Sequence, residues 1–284
     1  MSNSVKIKNE KNNKKSSKKL DSLSYFSLLI IAIFFVCVAY FTPNRIFLGT
    51  KSILKNIVLP FSINTPKPFV VVNNIVAESY VVYDATHQII LASKNENKML
   101  PLASVSKLMT AYIAMTSCNE LLQKKLDDLL VISSNIAADE IASNCPNYDD
   151  FVTAMNKNAL DMHLQMTFLN PSGLDIDEKI ASNYGDVLST AKLLALLQEK
   201  FPELLEKTTH TNYNGLVNTN EYASNWPFLS GSKTGFTDLA GGNLATVFEP
   251  SPREKIVIVV FNSSKNARFT DVFTLLKNYL KSVE

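Results

Sequence analysis

Strand-like runs at both ends of the folded part of this chain, with helical patterns between them, constrain its fold more than any other feature. Ser79–Asp84 and residues 89–93 are β-branched and aromatic runs flanking Ala85-Thr86-His87-Gln88, the pattern of a hairpin. Three further runs follow only much later, at 231–237, 244–248 and 256–262. Between the two groups, apolar residues recur at helical spacing. One such segment has Pro101 near its start and runs to about Cys118, one begins at Ser133-Ser134-Asn135, and two more cover 151–162 and 189–200. A last helix is expected at 268–281. Strands drawn from such distant positions predict one α/β domain with a mainly antiparallel sheet. Terminal helices are expected on one face and the central helices on the other.

At 284 residues and 46% hydrophobic content, the chain can bury a sizeable core. Its charge is uneven. Residues 1–24 hold seven of the 28 basic side chains and two of the 26 acidic ones, so the remainder is slightly acidic. The positive charge belongs to a tail, and a nucleic-acid partner is not expected. Residues 23–41 follow as an almost uninterrupted apolar run, broken by Ser24 and Ser27. As a helix this run reaches about 28 Å, close to the thickness of a hydrocarbon core. Lysine-rich flanks stay on the cytoplasmic side.

The expected organisation is therefore a basic cytoplasmic tail (1–22), a transmembrane anchor (23–41), a proline-containing linker (42–75) and an external folded domain (76–284). A cleaved signal peptide is the alternative, with Cys37-Val38-Ala39 as a faint small-x-small site. Val36 argues against lipidation at Cys37. The remaining cysteines, Cys118 and Cys145, would face an oxidising exterior. They either bridge, closing a loop of about 28 residues worth on the order of 3 kcal/mol, or sit as two buried thiols. Residues His87, His163 and His210 are scattered, so neither a Ser-His-Asp triad nor a metal site is expected, and no cofactor is.

Chemistry enters through Ser104-Val105-Ser106-Lys107, which places a serine one turn before a lysine on a shared helix face. A buried lysine can take the proton from such a hydroxyl and make it nucleophilic. The spacing alone is cheap, because it recurs at Ser16/Lys19, Ser52/Lys55, Ser189/Lys192 and Ser230/Lys233. Two later elements single out the first pair. Ser133-Ser134-Asn135 offers a hydroxyl and an amide at a helix start, although either serine could equally serve as a helix cap. Lys233-Thr234-Gly235, which occurs once, puts a cation and a hydroxyl on a strand beside a glycine expected to admit a substrate backbone. The trio in this order is the signature shared by penicillin-binding proteins and class A β-lactamases.

From Val76 to Leu280 the chain resembles the low-molecular-mass penicillin-binding proteins, serine-type D-alanyl-D-alanine carboxypeptidases. The resemblance includes Leu100-Pro101-Leu102-Ala103, Asn170-Pro171-x-Gly173-Leu174-Asp175, Asn218-Thr219-Asn220, Gly231 to Thr237 and Ala267-Arg268-Phe269. It implies the serine β-lactamase/DD-peptidase-like fold and a site that works without a metal. It also implies a substrate, the peptidoglycan stem peptide ending in D-Ala-D-Ala, with β-lactams as covalent inhibitors. By the same resemblance, Ser104 is acylated, Lys107 takes its proton and Ser133 relays a proton to the leaving amine. Asn135 holds Lys107 and the substrate amide, while Lys233 supports Ser133. Thr234 and Arg268 favour the terminal carboxylate, and the backbone amides of Ser104 and Phe236 form the oxyanion hole, with Gly235 between them and Thr234. The implied location is the periplasmic side of a bacterial cell membrane. With only a few residues after the last expected helix, the N-terminal segment is expected to provide the tether.

Two departures matter. Ser104 and Ser133 lie only 29 positions apart, about half the interval usual in the family, so a hairpin-bearing region beside the cleft is expected to be missing. The usual glycine of the first hairpin is also not found at Thr86-His87-Gln88. Rival readings use the same site. A class A β-lactamase needs a glutamate before the Leu169-Asn170 region, where this chain has none. A DD-endopeptidase would cut crosslinks instead of stem-peptide ends. A membrane-tethered peptidoglycan-binding protein would have lost turnover.

Overall fold

The computed structural model describes residues 67–71, 74–145 and 150–283, all within the compact unit Thr65–Glu284. The expected tail, the anchor and most of the linker lie outside the described residues.

Five strands form the main sheet: β1 (Ser79–Asp84), β2 (Ile89–Lys94), β3 (Leu229–Thr237), β4 (Gly241–Ser251) and β5 (Glu254–Ser263). Their spatial order is β2-β1-β5-β4-β3, and every pairing is antiparallel. The first strand pairs with the last along its whole length, from Ser79 opposite Phe261 to Asp84 opposite Ile256. Distant sequence is thereby joined at the centre of the sheet, and β3 is left as an edge.

Helices follow in the order α1 (Lys107–Ser117), α2 (Glu120–Gln123), α3 (Leu126–Leu130), α4 (Asn135–Asn144), α5 (Phe151–Asp161), α6 (Val187–Lys200), α7 (Pro202–Glu206) and α8 (Ala267–Val283). Side chains alternate across a strand, so the sheet feeds two cores. Val81, Val257, Val259 and Phe261 pack with α1 and α6. Val82, Ile258 and Val260 pack with Val272, Leu275 and Tyr279 of α8.

Pro101 does not open a helix, contrary to the sequence expectation. Leu100–Pro101 is a two-residue strand paired with Tyr184–Gly185, and a 3₁₀ turn, Ala103–Ser106, comes between it and α1. Lacking an N–H, proline suits this short pairing, whereas Leu102 can donate to Asn183 O at 2.9 Å. The periodicity also gave no sign of α2 and α3, which are too short to display a repeat.

Cys118 and Cys145 form a disulfide, with Cα atoms 5.0 Å apart. It joins the C-terminal ends of α1 and α4. The inner face of α4 buries only Ala137, Ala138 and Ile141, which supply about 2–4 kcal/mol of apolar burial. A crosslink across a loop of this length adds about 3 kcal/mol, so the covalent and packing restraints on α4 are of similar size.

Candidate active site

Ser104 stands on the 3₁₀ turn, directly after Ala103, whose φ is +46°. Such a backbone is unfavourable for an L-residue and is held here by its neighbours. Asn243, fully buried on β4, donates to Pro101 O at 2.8 Å and to Leu102 O at 3.1 Å. On the other side, Gly173 (φ +79°) presses so close that a Cβ there would lie 1.9 Å from Ala103 O. Because residues i and i+3 eclipse in a 3₁₀ turn, Ser104 comes directly over Lys107.

Lys107 is fully buried. Its Nζ lies 2.9 Å from Ser104 Oγ, 2.7 Å from Asn135 Oδ1 and 2.6 Å from Ser172 O. Burial lowers its pKa from 10.5 to about 7, and Asp139 opposes the shift. Two of the three partners are carbonyl oxygens, which only accept. In the neutral amine they take both N–H groups and leave the lone pair to the hydroxyl of Ser104. The arrangement is that of a base already aimed at its proton.

At the start of α4, Ser134 is the cap: its Oγ accepts from Ala137 N at 3.1 Å. That leaves Ser133, at φ +61°, free to turn its hydroxyl the other way, where Lys233 Nζ donates to it at 2.8 Å. Lys233 also donates to Thr234 O at 2.8 Å. Burial, then the charges of Lys107 and Arg268, push its pKa well below the ordinary lysine value. The two amines thus approach the Ser104–Ser133 pair from α1 and from the edge strand β3.

Ser104, Ser133, Thr234, Gly235, Phe236 and Arg268 line one cleft of about 310 Å³. Thr219 and Lys265 line it too, and the sequence reading did not single out either as a site residue. Thr234 Oγ1 donates to Thr219 Oγ1 at 2.6 Å, so the second hydroxyl orients the first. Lys265 sits 5.2 Å from the ring centre of the half-exposed Phe236, at the mouth of the cleft. Arg268 is buried and donates from Nη1 to Gly235 O at 2.6 Å. Burial lowers its pKa to about 10, with Glu221 opposing, so it stays cationic at neutral pH.

One expectation changes. A Cβ on Gly235 would meet Leu102 O at 3.0 Å and Val105 N at 3.2 Å. This glycine therefore lets β3 lie against the turn that carries Ser104, and the close approach is not reserved for a substrate. The Asn170–Gly173 turn, which entered the sequence reading only as part of the resemblance, supplies the Ser172 carbonyl to Lys107. Its signal was the turn sequence itself, whose Asn170 Oδ1 accepts from Ser172 N and Gly173 N. The remaining Ser-x-x-Lys pairs among the described residues serve other ends. Ser189 accepts from Gln165 N, and Ser230 bonds to Val247 O.

The chain is 29% identical over 241 residues to a D-alanyl-D-alanine endopeptidase of Pseudomonas aeruginosa, covering 72% of this chain and 77% of that one. It is 25% identical over 236 residues to the D-alanyl-D-alanine carboxypeptidase DacF of Bacillus subtilis, covering 68% and 60%. Among solved structures it is similar to penicillin-binding protein D2 of Listeria monocytogenes in its ampicillin-bound form. That match has a TM-score of 0.64 and 25% identity, and it covers 72% of this chain and 98% of the other. The fold is the one shared by these DD-peptidases, an antiparallel sheet between helices. Residues 64–129 and 119–265 match the family described as D-alanyl-D-alanine carboxypeptidase, a span that takes in the Ser104, Ser133 and Lys233 motifs and stops just short of Arg268. With its sequence, its fold and the assembly of these three motifs around one cleft in agreement, the chain belongs to the D-alanyl-D-alanine carboxypeptidase family of serine peptidases.

Proposed function

We propose that this protein removes the terminal D-alanine from peptidoglycan stem peptides through an acyl-enzyme on Ser104. The observation that carries the reading is the Lys107 amine, 2.9 Å from Ser104 Oγ and within reach of two carbonyls that, in its neutral form, take both N–H groups and leave the lone pair to the hydroxyl. Ser104 Oγ attacks the carbonyl carbon of the penultimate D-alanine as its proton passes to Lys107. The tetrahedral intermediate collapses, the C–N bond breaks, and the departing D-alanine amine takes a proton relayed through Ser133. Water then attacks the ester, Lys107 again accepts a proton, and Ser104 is restored as the shortened peptide leaves.

Arg268 and the Thr234–Thr219 hydroxyl pair would favour the substrate's terminal carboxylate from the β3 side. Asn135 would hold the substrate amide as well as Lys107. The Ser104 and Phe236 amides would receive the oxyanion, where one donor is typically worth about 3 kcal/mol. Among the described residues that line the cleft there is no carboxylate of the kind a class A β-lactamase uses to activate water. Similarity to the Pseudomonas aeruginosa endopeptidase favours crosslink cleavage as a second reading of the same site. The folded domain would act outside the cell membrane, tethered by residues 23–41. The Cys118–Cys145 disulfide supports such an oxidising compartment.

The test uses the full chain in detergent with a fluorescent penicillin, a pentapeptide ending in D-Ala-D-Ala and a crosslinked dimer. Covalent labelling and D-alanine release are expected, and both should vanish in Ser104→Ala. Label persisting in that variant would refute the nucleophile. Label without product from either substrate would point to a binding role, and rapid penicillin hydrolysis to a β-lactamase. On intact cells, a membrane-impermeant penicillin should reach Ser104. Labelling only after lysis would overturn the proposed location.

A further inference from the structure

The two helices that carry the base and its amide partner are joined at both ends. At their N-termini, Lys107 of α1 and Asn135 of α4 meet at 2.7 Å. At their C-termini, Cys118 and Cys145 each directly follow the last helical residue and are covalently linked. The helices have nearly equal lengths, 11 and 10 residues, so the two joints act as opposite rungs of one frame. Between them runs only the short α2–α3 segment. The non-covalent hold on α4 is slight: two alanines and one isoleucine buried, Ala142 partly so, an exposed ion pair of Glu140 with Lys125 at 2.8 Å, and the Ser134 N to Asp128 O bond at 2.9 Å.

We propose that the Cys118–Cys145 disulfide positions the catalytic groups, fixing α4 so that Asn135 and Ser133 stay in register with Lys107 and Lys233. It rests on the reading of Lys107 as the base. The disulfide touches no reacting atom and acts through α4. With the link open, the start of α4 is free to draw away from α1. Asn135 then ceases to hold one N–H of Lys107, water reaches the amine, and Ser133 parts from Lys233. The charge that acts on Lys107 is Asp139, and Lys107 in turn acts on Lys233. Asp139 rides on α4, so its departure alone would lower the pKa of Lys107. The burial relieved when water reaches the amine is the larger cause and moves it up, and Lys233 stays on β3.

The test compares the full chain, its TCEP-reduced form and Cys118→Ala/Cys145→Ala. Acylation by a fluorescent penicillin is followed as a function of pH, with circular dichroism recorded on each sample. In the oxidised protein, acylation should rise with pH through about 7, where Lys107 becomes neutral. In the opened forms the rise should move up by roughly one pH unit or more, slowing acylation at neutral pH about fivefold or more. The folded signal should remain, and reoxidation of the reduced protein should restore the original profile. Leu275→Ala, on the other side of the sheet, serves as a destabilised control and should leave the profile where it is.

An unmoved profile in a folded, opened protein would overturn the positioning role while leaving Lys107 as the base. Loss of the folded signal on opening would overturn it too, making the disulfide a staple of the whole domain. Absence of any rise near 7 in the oxidised protein would remove the base reading and this inference together.

Discussion

Lys107 sets the chemistry because its surroundings oppose the charge it would carry in water. With its folded-state pKa near 7 and an unfolded value near 10.5, the sign of the linkage is fixed. Below pH 7 both states are protonated, and the folded protein bears the full cost of the buried ammonium. Between 7 and 10.5 the folded amine is neutral while the unfolded chain still binds a proton, so stability rises with pH. One proton corresponds to about 1.4 kcal/mol per pH unit. Replacing Lys107→Met should lower the slope of unfolding free energy against pH by about that amount in this window, as measured by urea titration. An unchanged slope would mean that the lysine is charged in the folded state. At this scale the sequence was informative wherever a side chain belongs to a short motif: Ser104, Lys107, Ser133, Asn135 and Lys233 all meet. Thr219 and Asn243 were not legible as site residues, because their roles arise from strands and loops that become neighbours only on folding.

Elements place these residues through exceptions to regular structure. Ser104 is presented by a 3₁₀ turn and not by the α-helix that its spacing suggested, and Ser133 precedes the cap of α4. The expected helix at 151–162 and the terminal helix match α5 and α8 to within two residues, since each offers several turns of period. The first strand has the expected limits, but β4 came out longer, because pairing in the sheet extends it through polar ends that no local pattern marks. Loop 170–174 shows how tightly an irregular element can be held. Gly173 lies against Ala103 at a backbone angle that disfavours any side chain, and the two nearest atoms a Cβ would meet, Ala103 O and C, are backbone. Gly173→Ala should therefore displace the Ser104 turn or the Ser172 carbonyl from Lys107. The expected result is a loss of at least about 2 kcal/mol of stability together with at least tenfold slower penicillin acylation. A variant with unaltered acylation would show that this contact does not position the nucleophile.

For the molecule as a whole, the sheet separates two tasks. The core of α1 and α6 lies on the face that carries the catalytic turn, whereas α8 packs on the opposite face. That division follows from alternation along β1 and β5, where Val81 and Val259 face one core and Val82 and Ile258 the other. The position of the strands at both ends of the folded part was readable before folding, but the strand order was not. Nothing local dictates that β3 takes the edge, and the cleft exists because it does. Arg268 is the exception to the separation, reaching from the start of α8 to the Gly235 carbonyl. Leu275, two turns further along α8, is fully buried and packs in the far core. Leu275→Ala should then cost about 2–5 kcal/mol through the lost side chain and the cavity it leaves. Acylation measured below the unfolding transition should stay within about twofold of the parent, because Arg268 remains anchored and the sheet transmits little of the collapse. A large fall in acylation by fully folded Leu275→Ala would show that α8 is coupled to the site along its length, and the sheet would no longer count as a partition between stability and catalysis.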